Sequence, residues 1–333
     1  QSQYYLAAFA DKVYLATDSQ TSFDGVFLHG LGAYRFYLKS ALEKLHVDVR
    51  VLKAGVYKDA GETFQRDDMS DYSKESNQEL LASLWGNYLA TIAQQRDITI
   101  DQLVNYIDNY DKLLGTVNFD AALLAVEQGL VDEHISIVQW REKIREMTSV
   151  ESEEDNRVSM RAYLAAMRSP IPIVNPTSDK IAVIVAKGQI YDGEQAAGDI
   201  GGDSLASLVK QAREDKTIKA VVVRVDSPGG SPSASELIRS ELVMTQESGK
   251  PVVISMGGYA ASGGYWIATT ANKIFASEST ITGSIGVFGM IPNFARAIEK
   301  LGVYSDGVGT NTFSNALNPF ETANPRFEYT LQQ

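Results

Sequence analysis

The chain has 333 residues, 44% of them hydrophobic and 22% charged, which is typical of a soluble globular protein long enough for two domains. Its formal net charge of −12 argues against nucleic acid or an anionic membrane surface as an electrostatic partner. It has no cysteine and only three isolated histidines, so disulfides and thiolate sites are excluded and neither a metal nor another cofactor is expected.

The first part of the chain, residues 1–135, is predicted to resemble the second half but to carry more helix. The opening residues QSQYYLAAFADKVYL predict a helix followed by a strand. Because neither an initiator methionine nor a leader peptide precedes them, we expect the sequence to be a piece of a longer protein. Apolar residues at helical spacing predict a further helix over 73–95. About 18 consecutive apolar residues occur nowhere, so no membrane-spanning helix is expected.

The second half alternates strands with helices. A proline-rich stretch (168–179) precedes it and predicts a linker, and the acidic run ESEED lies before that stretch. Continuous apolar runs predict strands at 180–188, 218–226, 251–256 and 272–277. A helix is predicted over 204–215, and Ser231 before Pro232 predicts the start of another that Gly249 ends. This order indicates an α/β fold with parallel sheets covered by helices.

An internal repeat is visible in the sequence. YYLAAFADKVYLA (4–16) matches YWIATTANKIFAS (265–277) at an offset of 261. ALEKLHV (41–47) matches AIEKLGV (297–303) at an offset of 256. The repeat predicts an N-terminal copy over 1–150, a linker with a helix over 151–179, and a C-terminal copy over 180–333. The first copy lacks its front end and the second lacks its end, so we expect both to be shortened.

The stretch GGYAASGGYWIA (257–268) presents one serine, Ser262, between a predicted strand and a predicted helix. Such a junction exposes a hydroxyl well, but a nucleophilic serine needs a base that takes its proton. The three histidines, His29, His46 and His134, all lie more than a hundred residues upstream. None of them is therefore an obvious base for Ser262.

The repeat points to a lysine as the base. Lys58 follows a predicted strand in the first copy, and the equivalent position in the second copy is Ser314. One copy keeps the lysine and the other keeps the serine, which indicates a composite site between halves or between subunits. A lysine is a base only when neutral, so its pKa must fall far below the reference value of about 10.4. Asp59 and Glu62 should therefore point away from Lys58.

Four stretches of the chain resemble the signal peptide peptidase A (protease IV) family in its long duplicated form: AGVYKDAGETFQRDDMS, RVDSPGGSPSASELI, SMGGYAASGGYWIATTANKIFA and TITGSIGVFG. They occur in the family's order. The resemblance implies a Clp protease/crotonase-like fold in each repeat and a serine peptidase with a serine–lysine dyad. Within that dyad, Ser262 matches the nucleophile, Lys58 the general base, and Ser284 the hydroxyl that orients the lysine.

The same resemblance assigns the donors that stabilise an oxyanion. Acyl transfer needs backbone N–H groups aimed at the developing negative charge, and helix N-termini supply them. Gly230 of SPGG and Gly263 match the family's donors, with Gly229 as the alternative because a turn register cannot be read from sequence.

The resemblance also implies partners and a location. It implies a homo-oligomer, expected to be a tetramer, at the bacterial inner membrane. Its catalytic part would lie on the periplasmic side, and its anchor is absent from this sequence. Its substrates would be released signal peptides and other extended peptides. Apolar residues near Ser262 predict a pocket for apolar or small side chains, with Tyr259, Tyr265 and Ile285 as its lining.

Two other functions fit the same sequence features. One is a crotonase-type acyl-CoA enzyme, in which two backbone N–H groups hold a thioester enolate and a carboxylate acts as acid or base. The other is a non-catalytic membrane scaffold with a decayed site. A reagent specific for active-site serines separates the three, because it should label Ser262 only in a peptidase.

Overall fold

The computed structural model describes residues 1–16, 24–148, 158–167 and 179–332. Of the proline-rich stretch 168–179 only Asp179 is among the described residues, and the acidic run ESEED lies outside them. None of the helices within the described ranges combines the length and the apolar character that a membrane span requires.

The first part of the chain is rich in helices, as the sequence predicts. Its elements are α1 (Ser2–Ala7), β1 (Tyr14–Ala16), α2 (Lys39–Lys44), β2 (Asp48–Ala54), α3 (Glu62–Gln65), α4 (Asp71–Arg96), α5 (Ile100–Asp108), α6 (Tyr110–Thr116), α7 (Ala121–Glu127), β3 (Glu133–Ile135), α8 (Ile137–Thr148) and α9 (Met160–Met167). The helix predicted over 73–95 is α4, and the predicted helix and strand at the start are α1 and β1.

The second part alternates strands and helices. Its elements are β4 (Lys180–Lys187), β5 (Ile190–Tyr191), β6 (Ile200–Gly201), α10 (Gly202–Glu214), β7 (Ile218–Ser227), α11 (Pro232–Glu247), β8 (Val252–Ala261), α12 (Gly263–Trp266), β9 (Lys273–Phe275), β10 (Ile281–Gly283), β11 (Val287–Asn293), α13 (Ala295–Lys300) and α14 (Pro325–Gln332). The four predicted strands are β4, β7, β8 and β9. The helix predicted from Ser231 is α11, with Pro232 in its first turn and the Ser231 hydroxyl accepting the N–H of Ala234.

Contacts divide the chain into two compact units. One consists of Gln1–Gly32 and Leu81–Val174, and the other of Ala33–Leu80 and Asn175–Gln333. In the first unit, β1 and β3 pair in parallel. Its core is built around large buried side chains that include Ile92, Leu103 and Tyr106. The boundaries predicted for the two repeats come from similarity within the sequence, whereas these units come from contacts in space. The repeat boundaries therefore stay a prediction.

The second unit is organised around a parallel sheet. Its strand order is β10-β8-β7-β4, with β9 also paired to β8. Alternate residues of β7 and β8 are buried against α10 and α11: Val221, Val223, Val225, Val252, Ile254 and Met256. Each such apolar side chain contributes about 1.5–3 kcal/mol when it leaves water. The α/β class with parallel strands covered by helices is confirmed, although the outward side chains of β4 (Ile181, Val183 and Val185) are exposed.

Candidate active site

The ends of two neighbouring strands form the base of the site. Strands β8 and β10 are parallel, with Ala261 opposite Gly283, so Ser262 and Ser284 follow at the same edge of the sheet. The N–H of Ser262 donates to the carbonyl of Gly283 at 2.9 Å. The two serines are therefore brought together by the pairing of the strands that precede them.

Ser262 has an unusual backbone conformation. Its φ of +50° and ψ of −120° place it at a sharp turn between β8 and α12. A non-glycine residue in this region costs about 1–3 kcal/mol, so the surrounding structure must hold it there. The sequence prediction of a serine between a strand and a helix is confirmed, and the turn leaves the side chain half-buried at the sheet edge.

A second pair of strands brings Lys58 to this edge. Strand β2 pairs antiparallel with β11, with Ala54 opposite Val287. The chain leaves β2 at Gly55, where an added Cβ would lie only 2.7 Å from the carbonyl oxygen of Ile285. Because this loop packs so closely on the residues that follow Ser284, the side chain of Lys58 reaches the serines.

Lys58 makes three short contacts with its amino group. Its Nζ lies 2.7 Å from Ser262 Oγ, 2.9 Å from Ser284 O and 3.1 Å from Ser284 Oγ. The residue is only 6% exposed. A neutral amine has two N–H groups and one lone pair. When both N–H groups donate to Ser284, the lone pair faces Ser262 Oγ, which is the orientation a base requires.

Burial sets the ionisation of Lys58. Desolvation lowers the pKa of its ammonium group, while the negative charge of Asp59 acts in the opposite direction and raises it. Asp59 is turned to Arg35 and Ser73, and Glu62 is turned to Ser70. Neither carboxylate makes an ion pair with Lys58 among the residues described, as the sequence predicts.

Three glycines lie beside Ser262. The N–H of Gly229 donates to Ser227 Oγ at 3.1 Å. The N–H groups of Gly230 and Gly263 donate no hydrogen bond within the described part of the chain. A Cβ on Gly263 would lie 3.2 Å from the nitrogen of Gly230, so the two residues are close neighbours. The geometry therefore favours Gly230 over Gly229 as the partner of Gly263 in an oxyanion site.

The residues predicted to line a substrate pocket have different surroundings. Tyr259 is 47% exposed and Ile285, next to Ser284, is 58% exposed, so both are open to a ligand. Tyr265 is partly buried and packs against the core of the sheet. Trp266, at the end of α12, donates its indole N–H to Glu236 at 2.8 Å.

Three contacts of the site could not be inferred from the sequence. The backbone carbonyl of Ser284 is a partner of Lys58, and Arg35 and Ser73 hold the carboxylate of Asp59. Arg35 and Ser73 belong to no motif, and they reach Asp59 through tertiary packing. No group of three or more His, Cys, Asp or Glu residues suited to a metal ion occurs in the described ranges.

Comparison with known proteins assigns the family. The model of peptidase family S49 matches residues 1–151 and 244–333. The chain is 42% identical to Protease 4 of Salmonella typhi over 324 residues, which are 96% of this chain and 51% of that protein. It is 39% identical to Protease 4 of Haemophilus influenzae, covering 95% of this chain and 50% of that protein.

A plant protein extends the comparison. The chain is 27% identical to the chloroplastic serine protease SPPA of Arabidopsis thaliana, over 96% of this chain and 46% of that protein. The chain thus spans about half the length of the curated relatives it matches. The resemblance to the signal peptide peptidase A family is confirmed, and the family is consistent with the Clp protease/crotonase-like fold. The chain belongs to peptidase family S49.

Proposed function

We propose that this chain carries the active site of a serine endopeptidase that cleaves extended peptides through Ser262 and Lys58. The observation that supports this most strongly is the 2.7 Å distance between Ser262 Oγ and the Nζ of a buried lysine. A serine and an amine at hydrogen-bond distance, with the pKa of the amine lowered by burial, are a nucleophile and its base.

The first half of the reaction acylates the serine. Ser262 Oγ attacks the carbonyl carbon of the scissile bond while its proton moves to the neutral Nζ of Lys58. The oxygen of the tetrahedral intermediate accepts hydrogen bonds from the N–H groups of Gly230 and Gly263, whose donors are fixed before the reaction. The Lys58 ammonium then protonates the leaving amine, and the C–N bond breaks.

The second half releases the acid product. The neutral amine of Lys58 takes a proton from a water molecule, and the oxygen of that water attacks the acyl carbon. Lys58 returns the proton to Ser262 Oγ as the ester bond breaks. In both halves Ser284 holds the amine through its carbonyl and hydroxyl, so that the lone pair keeps its direction toward Ser262.

The substrates proposed are released signal peptides and other extended chains with apolar or small residues before the scissile bond. The exposed side chains of Tyr259 and Ile285 beside the two serines are suited to such residues. A net charge of −12 disfavours acidic peptides. A homo-oligomer at the bacterial inner membrane, facing the periplasm, belongs to the same proposal. It rests on the family resemblance.

A serine-reactive fluorophosphonate tests this function. We expect it to label Ser262 in the full chain, as mapped by peptide mass spectrometry, and to leave the Ser262→Ala variant unlabelled. Ser255→Ala, a change on the same strand, should be labelled like the wild type. A wild-type chain without label at Ser262 would instead favour the crotonase-type enzyme or the scaffold.

A further inference from the structure

An ion pair lies directly beside the proposed base. The carboxylate of Asp59, the residue after Lys58, accepts a hydrogen bond from Arg35 Nη1 at 2.7 Å and from Ser73 Oγ at 2.5 Å. The pair is partly open to solvent, with 34% of the side-chain surface of Arg35 and 22% of that of Asp59 exposed.

Lys58 and Asp59 place opposite requirements on the charge of the amine. Lys58 acts as a base only when uncharged, yet the next residue carries a negative charge that favours the ammonium form. The loop also needs Asp59, because Ser73 at the start of α4 binds its carboxylate. A positive charge paired with this carboxylate offsets its field and leaves the carboxylate in place.

We propose that Arg35 is a positioning residue for the base: by pairing with Asp59 it offsets the carboxylate's charge and keeps the amine of Lys58 neutral. This inference rests on the proposed function of Lys58. The field of Asp59, which raises the pKa of Lys58, supports it. The guanidinium group of Arg35 does not touch Ser262 or Ser284 in the contacts described.

The other groups around Lys58 do not take this role. From β8 and β10 the amine is met by the hydroxyls of Ser262 and Ser284, which are uncharged. On α3, Glu62 is bound by Ser70 and lies 4.0 Å from the ammonium group of Lys53.

Two aromatic residues and one more carboxylate complete the surroundings of the loop. On α4, Glu75 accepts the hydroxyl of Tyr57, and the ring of Tyr72 packs edge-on against Tyr57. Among the described carboxylates, Asp59 is the one whose field raises the pKa of Lys58.

The test is a double-mutant cycle of Arg35 and Asp59, in which kcat/KM on a soluble peptide is measured as a function of pH. The rate should rise with pH as Lys58 loses its proton, and this part of the profile is called the rising limb. Arg35→Gln leaves the Asp59 charge unopposed, so the rising limb should move up by about half a pH unit, which is about threefold in rate on that limb. Asp59→Asn keeps an oxygen for Ser73 but removes the charge, so the limb should move down by a similar amount. The double variant should return close to the wild-type limb.

A purely structural role gives a different pattern. If Arg35 only anchors the loop, both single variants lose plateau rate, the limb stays in place, and the double variant is no better than either. Arg66→Gln is the matched control, because Arg66 pairs with Asp68 further along the same segment and carries the same charge. Its limb should coincide with that of the wild type.

The outcomes separate this inference from the proposed function. A Lys58→Met variant that keeps the wild-type rate and limb would remove Lys58 as the base, and the proposed function would fail. A limb that depends on Lys58 but stays fixed in Arg35→Gln and Asp59→Asn would overturn only the role of Arg35.

Discussion

Replacing Ser262 with alanine is expected to lower peptide hydrolysis by about four to six orders of magnitude, to the residual level that backbone donors and binding provide. Lys58→Met should cost nearly as much, because it keeps an unbranched side chain but removes the amine that contacts Ser262 Oγ at 2.7 Å. The two groups act as one unit, so the double variant should be hardly slower than either single variant. Steady-state kinetics on a soluble peptide measures all three.

The matched control for this prediction is Lys53→Met. Lys53 lies on β2, five residues before Lys58, and its side chain is partly exposed near Glu62. This variant should keep most of the wild-type rate, and all variants should melt cooperatively. If Lys58→Met retained a large part of the activity while folded, another base would have to be found.

Gly229→Ala is expected to lower kcat by about a hundredfold or more. The backbone at Gly229 has a φ of +99°, and an added Cβ would lie 2.6 Å from the nitrogen of Gly263 and 2.8 Å from Ser262 Cβ. Neither contact can be relieved by a flexible side chain. The methyl group must therefore displace the nucleophile or the N–H donor beside it, and the loss of one oxyanion donor alone costs about 10²–10³ in kcat.

Gly249→Ala separates strain from damage to the site. Gly249 follows α11 and has a similar φ of +88°, but an added Cβ there meets no atom within 4 Å. Both alanine variants should lose about 1 kcal/mol or more of folding free energy from the strained backbone, measured by urea unfolding. Only Gly229→Ala should lose kcat. Equal kinetic losses in the two variants would contradict the assignment of this turn to the site.

The sequence allowed the local parts of the site to be predicted. A buried apolar run that ends in small residues before Ser262 indicates a strand and a turn, and Ser231 with Pro232 indicates a helix start. The repeat also predicted that the two copies contain equivalent helices. Helix α2 (Lys39–Lys44) and helix α13 (Ala295–Lys300) stand at the predicted offset of 256. These features depend on neighbours in the chain, so a pattern of residues is enough to indicate them.

The long-range parts of the site could not be predicted from residue patterns alone. Lys58 and Ser262 are 204 residues apart. They meet because β2 pairs with β11, and nothing in either strand specifies its partner. The sequence left open whether the site forms within one chain, and here both side chains belong to the same chain and the same compact unit. The choice between Gly229 and Gly230 depends on the side chain of Ser227, whose hydroxyl oxygen accepts the N–H of Gly229.

The pH dependence is the central expectation of the proposed mechanism. Burial lowers the pKa of Lys58, so the ammonium form loses its proton at a lower pH than an ordinary lysine does. Because only the neutral amine accepts the proton of Ser262, kcat/KM should rise with pH through this pKa and then level off. The midpoint should lie below about 10.4, the ordinary value for lysine.

Chemical replacement of Lys58 tests whether this limb belongs to it. The chain has no cysteine, so Lys58→Cys introduces a single thiol, which 2-bromoethylamine converts into a lysine analogue with sulfur in its side chain. Sulfur withdraws electrons and makes the amine a weaker base. The measurement is kcat/KM from about pH 5 to about pH 10 for the wild type, for Lys58→Cys, and for the alkylated variant after its modification is confirmed by mass. The account predicts that Lys58→Cys is inactive and that alkylation restores activity with the limb moved to lower pH. A restored limb at the wild-type position, or an unmodified variant that keeps the wild-type profile, would contradict it.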